Sequence, residues 1–388
     1  MKKVVLLLLS ILVITNLYGC APAATPAPAA PAAPTAKPEP IYIAIAVPLT
    51  GNYAQYGEYF LTSAKIRIDE ANAAGGVKGR QLVLESFDDR GDIAEGSNLA
   101  QKISDDPKYI AVIGGFTSTS VLASAPIYGK NKMVQMVPAA SHQDITKVSE
   151  YTWVQSSVAT EMRNMFTMVV DGIGAKNIAY IYLNNDSGLS ALKLVQGFIA
   201  ERSDVKLVAN ESYNEGQVSD YTPLLSKIKE ANPEVVMISA QYKDVAAILT
   251  QAKQMGFGET KFANLSTAYS DEFLKLAGAT AEGFYVSTLY FADNPDPGVQ
   301  TFSKKFKEAS GGKTANMFAS QAYECASLLV YALEQGATDR ASLYEQMLKI
   351  KEWKGLTYTA TFTNRVPARV GVSIMVKDGK WVVADFKK

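Results

Sequence analysis

The sequence predicts an α/β fold of two doubly wound lobes, and three observations lead to that prediction. Between residues 41 and 288, short apolar runs alternate with stretches of helical periodicity, which is typical of parallel sheets with right-handed crossovers. The chain after residue 40 is longer than one hydrophobic core usually supports. After residue 288, three helical stretches follow one another and three strands come last, which indicates that the chain passes between the lobes more than once.

Each predicted strand is a short apolar run that ends at turn residues, and each predicted helix has apolar residues three or four positions apart. In chain order, strands are predicted at residues 42–47, 82–87, 110–113, 133–137, 178–183, 205–212, 235–239, 261–264, 283–288, 357–362, 370–376 and 381–386. Helices are predicted at residues 59–74, 94–104, 160–173, 189–201, 221–230, 245–255, 299–309, 317–335 and 340–350, with one more between the third and fourth strands.

The first twenty residues are predicted to be a targeting segment that is not part of the fold. Lys2 and Lys3 give a positive start, and residues 4–17 form an apolar run too short to span a membrane comfortably. The run ends at Cys20, and the segment resembles a bacterial lipoprotein signal, which implies a lipid anchor on that cysteine. An ordinary signal peptide is the alternative. Residues 21–40 are almost entirely Ala and Pro and predict an extended tether.

Charge and composition argue against several partners and chemistries. Lys plus Arg and Asp plus Glu both number 38, so the formal net charge is zero, which argues against nucleic acid or an anionic membrane surface as the partner. One histidine, His142, and one spare thiol, Cys325, are too few for a zinc site. Neither a nucleophile elbow nor a phosphate-binding Walker loop is present. We therefore expect no enzyme activity, no cofactor and no metal, and a buried, inert Cys325.

Small hydroxyl-bearing residues follow two neighbouring strands in the strand, helix, strand unit at residues 109–144. Thr117 and Ser118 come after the first strand, where the helix begins, and Ser141 comes after the second. Ligands of parallel α/β sheets bind beyond the carboxyl ends of the strands, and a helix N-terminus offers free N–H groups to an anion. The pattern predicts a binding site at this edge, although Thr117 or Ser118 could equally be a plain helix N-cap.

From residue 42 to about residue 386 the chain resembles the type I periplasmic solute-binding proteins of the branched-chain amino acid type, which are the extracytoplasmic components of ABC importers. Eight short motifs carry the resemblance, in this order: PLTG at 48–51, YAQYG at 53–57, NAAGGVKG at 72–79, DD at 88–89, residues 114–120, VPAAS at 137–141, QMG at 254–256 and AEG at 281–283. The resemblance implies two lobes joined by three crossovers that close over a ligand in the cleft between them. The implied N-terminal lobe comprises residues 41–159 and 289–370, and the C-terminal lobe comprises residues 160–288 and 371–388.

The resemblance also implies which residues of the first lobe hold the ligand. In the family, a serine after one strand and an Ala-Ala-Ser/Thr turn after the next bind the ligand carboxylate. Those positions correspond here to Ser118 and to Ala139, Ala140 and Ser141, with Thr117 beside them. This agrees with the site predicted from the strand ends.

Five further residues are expected near the ligand from the family pattern, and three of them stand at two places where this chain departs from it. Tyr56 corresponds to the tyrosine of the YAQYG loop, and Tyr242 corresponds to the second-lobe tyrosine that covers the ligand, with a loop anchor and a lobe-surface residue as the alternatives. A turn that often carries an aromatic residue lacks it here, so Asp186 or Ser187 is expected to face the cleft. Ser266 stands where amino acid binders place an acid against the ligand ammonium.

The missing acid leads to an expectation about the ligand. A buried ammonium needs a compensating carboxylate, and Ser266 supplies only a neutral acceptor. Unless Asp186, Asp244 or Asp271 moves in, carboxylates or amides without an α-ammonium, aromatic acids among them, should bind better than standard amino acids.

The function expected from the sequence is that of an extracytoplasmic solute receptor. It is expected to be a monomer that touches the membrane only through its lipid anchor, closes on a small carboxylate or amide, and delivers this ligand to ABC permease subunits. A ligand-sensing lobe of a signalling system is the alternative, and an enzyme of unrecognised type is a remote one.

Overall fold

The computed structural model describes residues 38–386 of the 388-residue chain. Cys20, the predicted signal segment and the tether as far as residue 37 lie outside the described residues. Within the described part, no helix has the length and apolar character needed to cross a bilayer.

The described chain alternates strands and helices through its first three quarters. The strands are β1 (Ile41–Val47), β2 (Leu82–Asp88), β3 (Tyr109–Gly114), β4 (Val134–Val137), β5 (Thr152–Val154), β6 (Asn177–Leu183), β7 (Lys206–Tyr213), β8 (Val235–Ser239), β9 (Lys261–Leu265), β10 (Tyr285–Thr288), β11 (Glu352–Lys354), β12 (Thr359–Thr363), β13 (Val366–Pro367), β14 (Val372–Lys377) and β15 (Lys380–Val383). The helices are α1 (Ala54–Ala73), α2 (Ile93–Asp105), α3 (Ser118–Lys130), α4 (Ile145–Val148), α5 (Val158–Thr167), α6 (Asp186–Ala200), α7 (Thr222–Glu230), α8 (Tyr242–Gln254), α9 (Asp271–Ala277), α10 (Pro297–Ala309), α11 (Met317–Glu334) and α12 (Arg340–Lys349).

The first lobe is built on a parallel sheet with the strand order β2-β1-β3-β4-β5. Side chains alternate between the two faces of a strand, and β1 shows the result. Ile43 and Ile45 pack into a core with α1, α10 and α11, whereas Ala44 and Ala46 pack against α2 and α3 on the other face. The sheet is therefore covered by helices on both sides, as a parallel sheet requires.

The second lobe is built on a sheet with the order β15-β14-β10-β9-β8-β6-β7, in which only β14 and β15 are antiparallel to their neighbours. Ile181 and Ile238 pack against α7, α8 and α9, while Tyr180 and Met237 pack against α5 and α6. Both lobes thus have the doubly wound form expected from the alternating pattern.

The chain passes between the two sheets three times, as expected. The crossovers run through residues 155–157, 289–296 and 368–371. After the second crossover, α10, α11 and α12 return to the core of the first lobe, and a small antiparallel sheet, β11-β12-β13, lies on that lobe before the third crossover. The three successive helices after residue 288 follow from this return of the chain to the first lobe.

The structure also differs from the predicted elements in several places. Helix α1 begins at Ala54, five residues earlier than expected, because the YAQYG motif is helical. Its Gly57 is needed there, since a Cβ atom would lie 1.8 Å from the carbonyl oxygen of Pro48.

Five short elements were not predicted, because runs of two to seven residues are too short to show a period. They are the helices α4 and α9 and the strands β5, β11 and β13.

Candidate functional site

A cavity of about 130 Å³ lies between the lobes, where the carboxyl ends of the parallel strands of both sheets face each other. The first-lobe wall consists of Tyr53, Phe116, Thr117, Ser118, Ala139, Ala140, Ser141, Met317 and Phe318. The second-lobe wall consists of Val158, Glu161, Leu183, Asn185, Ser187, Gly188, Ala191, Glu215, Ser239, Ala240, Gln241, Leu265, Ser266 and Thr267.

The hydroxyl groups of the first-lobe wall have two different roles. Thr117 is the N-cap of α3, and its side chain accepts a hydrogen bond from the Ser120 backbone at 3.2 Å. Ser118 and Ser141 are 7% and 8% exposed, and their hydroxyls make no hydrogen bond to any other residue that the structure describes. The capping interpretation therefore applies to Thr117, and the other two hydroxyls remain free for a ligand.

The first-lobe wall also carries the features of an anion site. Ser118 is the first residue of α3, so the free N–H groups and the positive dipole end of that helix lie at the cavity. Ala139 and Ala140 add only methyl groups to the wall beside Ser141, which leaves the backbone of the turn accessible. The structure thus brings together all five residues that were predicted here.

On the second-lobe wall, two predicted residues line the cavity. Ser187 lies in the first turn of α6, whose N-cap Asn185 accepts from the Gly188 backbone at 2.9 Å. A Cβ atom on Gly188 would lie 1.9 Å from the carbonyl oxygen of Leu183, so glycine permits this close turn. Ser266 is 2% exposed and its hydroxyl donates to the Ser287 carbonyl at 3.3 Å.

Three predicted residues do not reach the cavity lining. Tyr56 is buried because α1 directs its ring into the core, where it stacks on Phe116 with centroids 4.6 Å apart. Tyr242 begins α8 and its ring contacts the Tyr56 ring edge to face. It therefore lies outside the cavity, at the boundary between the two lobes, which we call the lobe seam. Asp186 is exposed and accepts a hydrogen bond from Thr119 of the first lobe at 2.9 Å. Tyr56 supports the wall, whereas Tyr242 and Asp186 lie at the lobe boundary.

The two other aspartates considered as replacements for the missing acid have other partners. Asp244 accepts hydrogen bonds from the hydroxyls of Tyr213 and Tyr221, at 2.8 and 2.9 Å. Asp271 accepts from the backbone and hydroxyl of Thr314, at 2.8 and 2.9 Å. Neither aspartate lines the cavity.

Two glutamates line the cavity instead, which corrects the expectation that an acid would have to come from those three aspartates. Glu215 follows β7, and its Oε2 accepts a hydrogen bond of 2.5 Å from the Tyr53 hydroxyl of the first lobe. Burial raises the pKa of Glu215. Because Glu215 lies beyond a strand end, the reasoning that identified Ser118 and Ser141 would have found it if applied to β7.

Glu161 had no such signal in the sequence. It lies in α5, whose N-cap Ser157 accepts from the Thr160 backbone at 3.2 Å. Its Oε1 atom is buried and has no hydrogen-bond partner among the described residues. Burial raises the pKa of Glu161 to about 7, and the nearby Ser156 hydroxyl and the positive charge of Arg369 oppose that rise. Only the packing of α5 against the second sheet brings this side chain to the cavity.

Direct hydrogen bonds join the lobes at the edges of the cavity. Besides the bond from Tyr53 to Glu215 and that from Thr119 to Asp186, Gln55 of α1 donates to Glu272 of α9 at 2.9 Å. These bonds hold the two lobes in contact at the edges of the cavity.

Groups for enzyme chemistry are not assembled at this site. In residues 38–386 there is no cluster of three or more His, Cys, Asp or Glu side chains placed to hold a metal. The Nδ1 atom of His142 accepts from the Asp144 backbone at 3.2 Å, and His142 does not line the cavity. Cys325 is buried, as expected, and burial raises the pKa of its thiol.

Comparisons with known proteins agree with this architecture. The model of a family described as periplasmic binding protein matches residues 40–373. The leucine-, isoleucine-, valine-, threonine- and alanine-binding protein of Pseudomonas aeruginosa is 26% identical over 310 residues, which are 79% of this chain and 82% of that protein.

Two solved structures have the same fold. A branched-chain amino acid transporter substrate binding protein from Streptococcus pneumoniae, in complex with isoleucine, has a TM-score of 0.81 at 22% identity, covering 88% of this chain and 97% of that one. A solute binding protein of an ABC transporter from Rhodopseudomonas palustris, in complex with 3,4-dihydroxybenzoic acid, has a TM-score of 0.78 at 21% identity, covering 88% and 94%. The fold is the type I periplasmic binding protein fold, and the relatives are binding proteins, not enzymes.

Proposed function

Because the chain belongs to the periplasmic binding protein family, we propose that it is the extracytoplasmic solute-binding subunit of an ABC importer. It captures one small carboxylate-bearing ligand by closure of the lobes and delivers it to the permease subunits. The first lobe holds the carboxylate, and the second lobe closes over the rest of the molecule. The protein acts as a monomer that is tied to the membrane by a lipid on Cys20.

The observation that carries this proposal is the chemistry of the cavity between the lobes. Free hydroxyls of Ser118 and Ser141 stand beside the N-terminus of α3 on one wall, and carboxylates of Glu161 and Glu215 stand on the other. Its size of about 130 Å³ suits one small molecule. A ligand that contacts both walls has more contacts in the closed form than in the open form, and only such extra contacts can shift the equilibrium toward closure.

The ligand class is supported by what the relatives hold. The Pseudomonas protein is named for amino acids and the Rhodopseudomonas structure contains an aromatic acid, and both kinds of ligand carry a carboxylate. We assign that shared group to Ser118, to the turn of Ala139, Ala140 and Ser141, and to the α3 N-terminus that Thr117 caps.

Mass spectrometry of the small molecule that co-purifies with the membrane-extracted protein tests the proposal. The molecule released on denaturation should carry a carboxylate, and adding it back should raise the midpoint of thermal unfolding. Chemical turnover of that molecule, or a released compound without any acidic group, would contradict the proposal.

The anchor is tested separately by Cys20→Ser. The variant should move from the membrane fraction to the soluble or secreted fraction, since the described chain offers no membrane-spanning helix. A variant that stays with the membrane through washes at high salt would show that Cys20 is not the attachment point.

A further inference from the structure

Glu161 lines the cavity with a carboxyl group that no ion pair of the described residues compensates. Its Oε1 atom is shielded from solvent and makes no hydrogen bond among residues 38–386, and the Ser156 hydroxyl is the polar group that lies near the carboxyl group. Buried carboxylates are normally paired or hydrogen-bonded, because an isolated buried charge is costly. A largely buried carboxyl group in the wall of a cavity, with no cation paired to it, indicates that the compensating donor comes from the molecule that fills the cavity.

The position of Glu161 along α5 places it next to the proposed carboxylate end of the ligand. The backbone N–H of Val158 donates to the carbonyl of Ser141 at 2.7 Å, so the start of α5 touches that end. Val158 and Glu161 both line the cavity, as residues three apart on one helix face should. Three residues advance a helix by only about 4.5 Å, so Glu161 lies within one turn of the residue that contacts the Ser141 turn.

The other candidates for a cation partner already have hydrogen-bond partners within the protein. Glu215 already accepts from Tyr53 across the lobe seam, and Ser266 donates its hydroxyl to the Ser287 carbonyl. Arg369, the cation that acts on Glu161, donates instead to Gln155 at 2.6 Å and to Tyr358. Glu161 takes part in none of the ion pairs of the described chain.

We infer that Glu161 is the specificity-determining residue of the cavity, and that it accepts a hydrogen bond from the α-ammonium of an amino acid whose carboxylate lies at Ser118 and Ser141. This inference rests on the proposed function. It assigns the ammonium contact to helix α5, whereas the family pattern places that contact at the position of Ser266, after a strand of the second sheet. It also reverses the expectation from the sequence that ligands without an ammonium bind better.

The ionisation of Glu161 gives the inference a pH signature. An ammonium stabilises the ionised carboxylate, so binding should be strongest above the pKa of the free protein, about 7, and should weaken up to tenfold per pH unit below it. The charged group facing Glu161 is Arg369 on the third crossover, with Glu324 and Tyr358 beyond it. The adjacent wall residues of α6 and β9, Gly188, Ala191 and Leu265, carry no charge.

The test compares each standard amino acid with its deaminated analogue, for example leucine with 4-methylpentanoate and phenylalanine with 3-phenylpropanoate. Isothermal titration calorimetry of the full chain at pH 5.5 to 8.5 gives the affinities. Glu161→Gln is the main variant, because it keeps the shape and removes the charge. Glu215→Gln is the matched control, because it removes a second cavity carboxylate that already has a partner.

Wild-type protein should bind at least one amino acid tenfold or more tightly than its analogue. Glu161→Gln should lose most of that preference and the pH dependence, whereas Glu215→Gln should weaken both members of the pair alike. Preference for the deaminated acids in the wild type, or a preference unchanged in Glu161→Gln, would overturn the inference but leave the proposed carboxylate receptor intact. Binding of neither class would contradict the proposed function itself.

Discussion

The sequence predicted the lining residues of the first-lobe wall much better than those of the second-lobe wall. Five of the six residues predicted for the first lobe line the cavity, from Thr117 and Ser118 to the turn at Ser141, and Tyr56 is the exception. On the second-lobe wall, Ser187 and Ser266 line it, while both cavity carboxylates, Glu161 and Glu215, were missed. The first wall is made of short motifs that follow consecutive strands, whereas the second draws together residues from separate strand ends and from a helix.

This difference follows from the chemistry of the two walls. An anion can be held by a helix N-terminus, backbone groups and small hydroxyls, all of which belong to one local strand-to-helix turn. A cation needs a carboxylate, and a carboxylate can reach a cavity from any element that packs around it. A local sequence pattern therefore identifies an anion site more readily than a cation site.

The largest expected effect comes from removing the anion chemistry of the first wall. Ser118→Ala with Ser141→Ala should weaken binding of the co-purified ligand roughly a hundredfold or more, because each hydrogen bond to a charged group is worth about 1.5 to 3 kcal/mol. Thermal unfolding without ligand should change little, since neither hydroxyl bonds to another described residue. Titration calorimetry measures the loss, and normal affinity in the double variant would remove both serines from the site.

The next effect concerns the seam between the walls. Tyr53→Phe keeps the ring but removes the hydroxyl that donates to Glu215 at 2.5 Å. Both side chains are partly buried, so the closed form should lose about 1.5 kcal/mol and the ligand should bind about tenfold more weakly.

The loss in Tyr53→Phe should be the same for an amino acid and for its deaminated analogue, because the bond stabilises closure and not one ligand group. A loss confined to the amino acid would instead make Glu215 the ammonium partner. The measurement is calorimetry on the matched pair of ligands.

The fold shows the same difference between features that a local sequence pattern predicts and features that packing determines. The alternation of apolar runs and helical stretches gave both sheets, and the late change of order indicated repeated crossing. The short strand β5 and helix α9 lack enough residues for a period, so packing alone determines them. Tyr56 was expected at the ligand from the family pattern, in a loop before a helix predicted to start at residue 59, but the helix begins at Ala54 and turns the ring into the core.

A smaller effect separates capping from binding within the first wall. Thr117→Ala removes the N-cap of α3 and should lower the free energy of unfolding by about 1 kcal/mol. Ligand affinity should stay within about twofold, because the Thr117 side chain is already bonded to the Ser120 backbone. Chemical denaturation together with calorimetry distinguishes the two quantities, and a tenfold loss of affinity would place the Thr117 hydroxyl on the ligand.

The smallest effect is expected at the exposed edge of the seam, where Thr119 donates to Asp186 at 2.9 Å. This bond joins the lobes as the bond from Tyr53 to Glu215 does, but Asp186 is exposed, so water replaces the lost partner and salt screens the charge. Thr119→Val should therefore weaken ligand binding by about twofold, against the tenfold expected for Tyr53→Phe. Calorimetry on both variants at low and high salt measures the ratio. If Thr119→Val cost as much as Tyr53→Phe, closure would be controlled at the exposed rim and not at the buried boundary between the two walls.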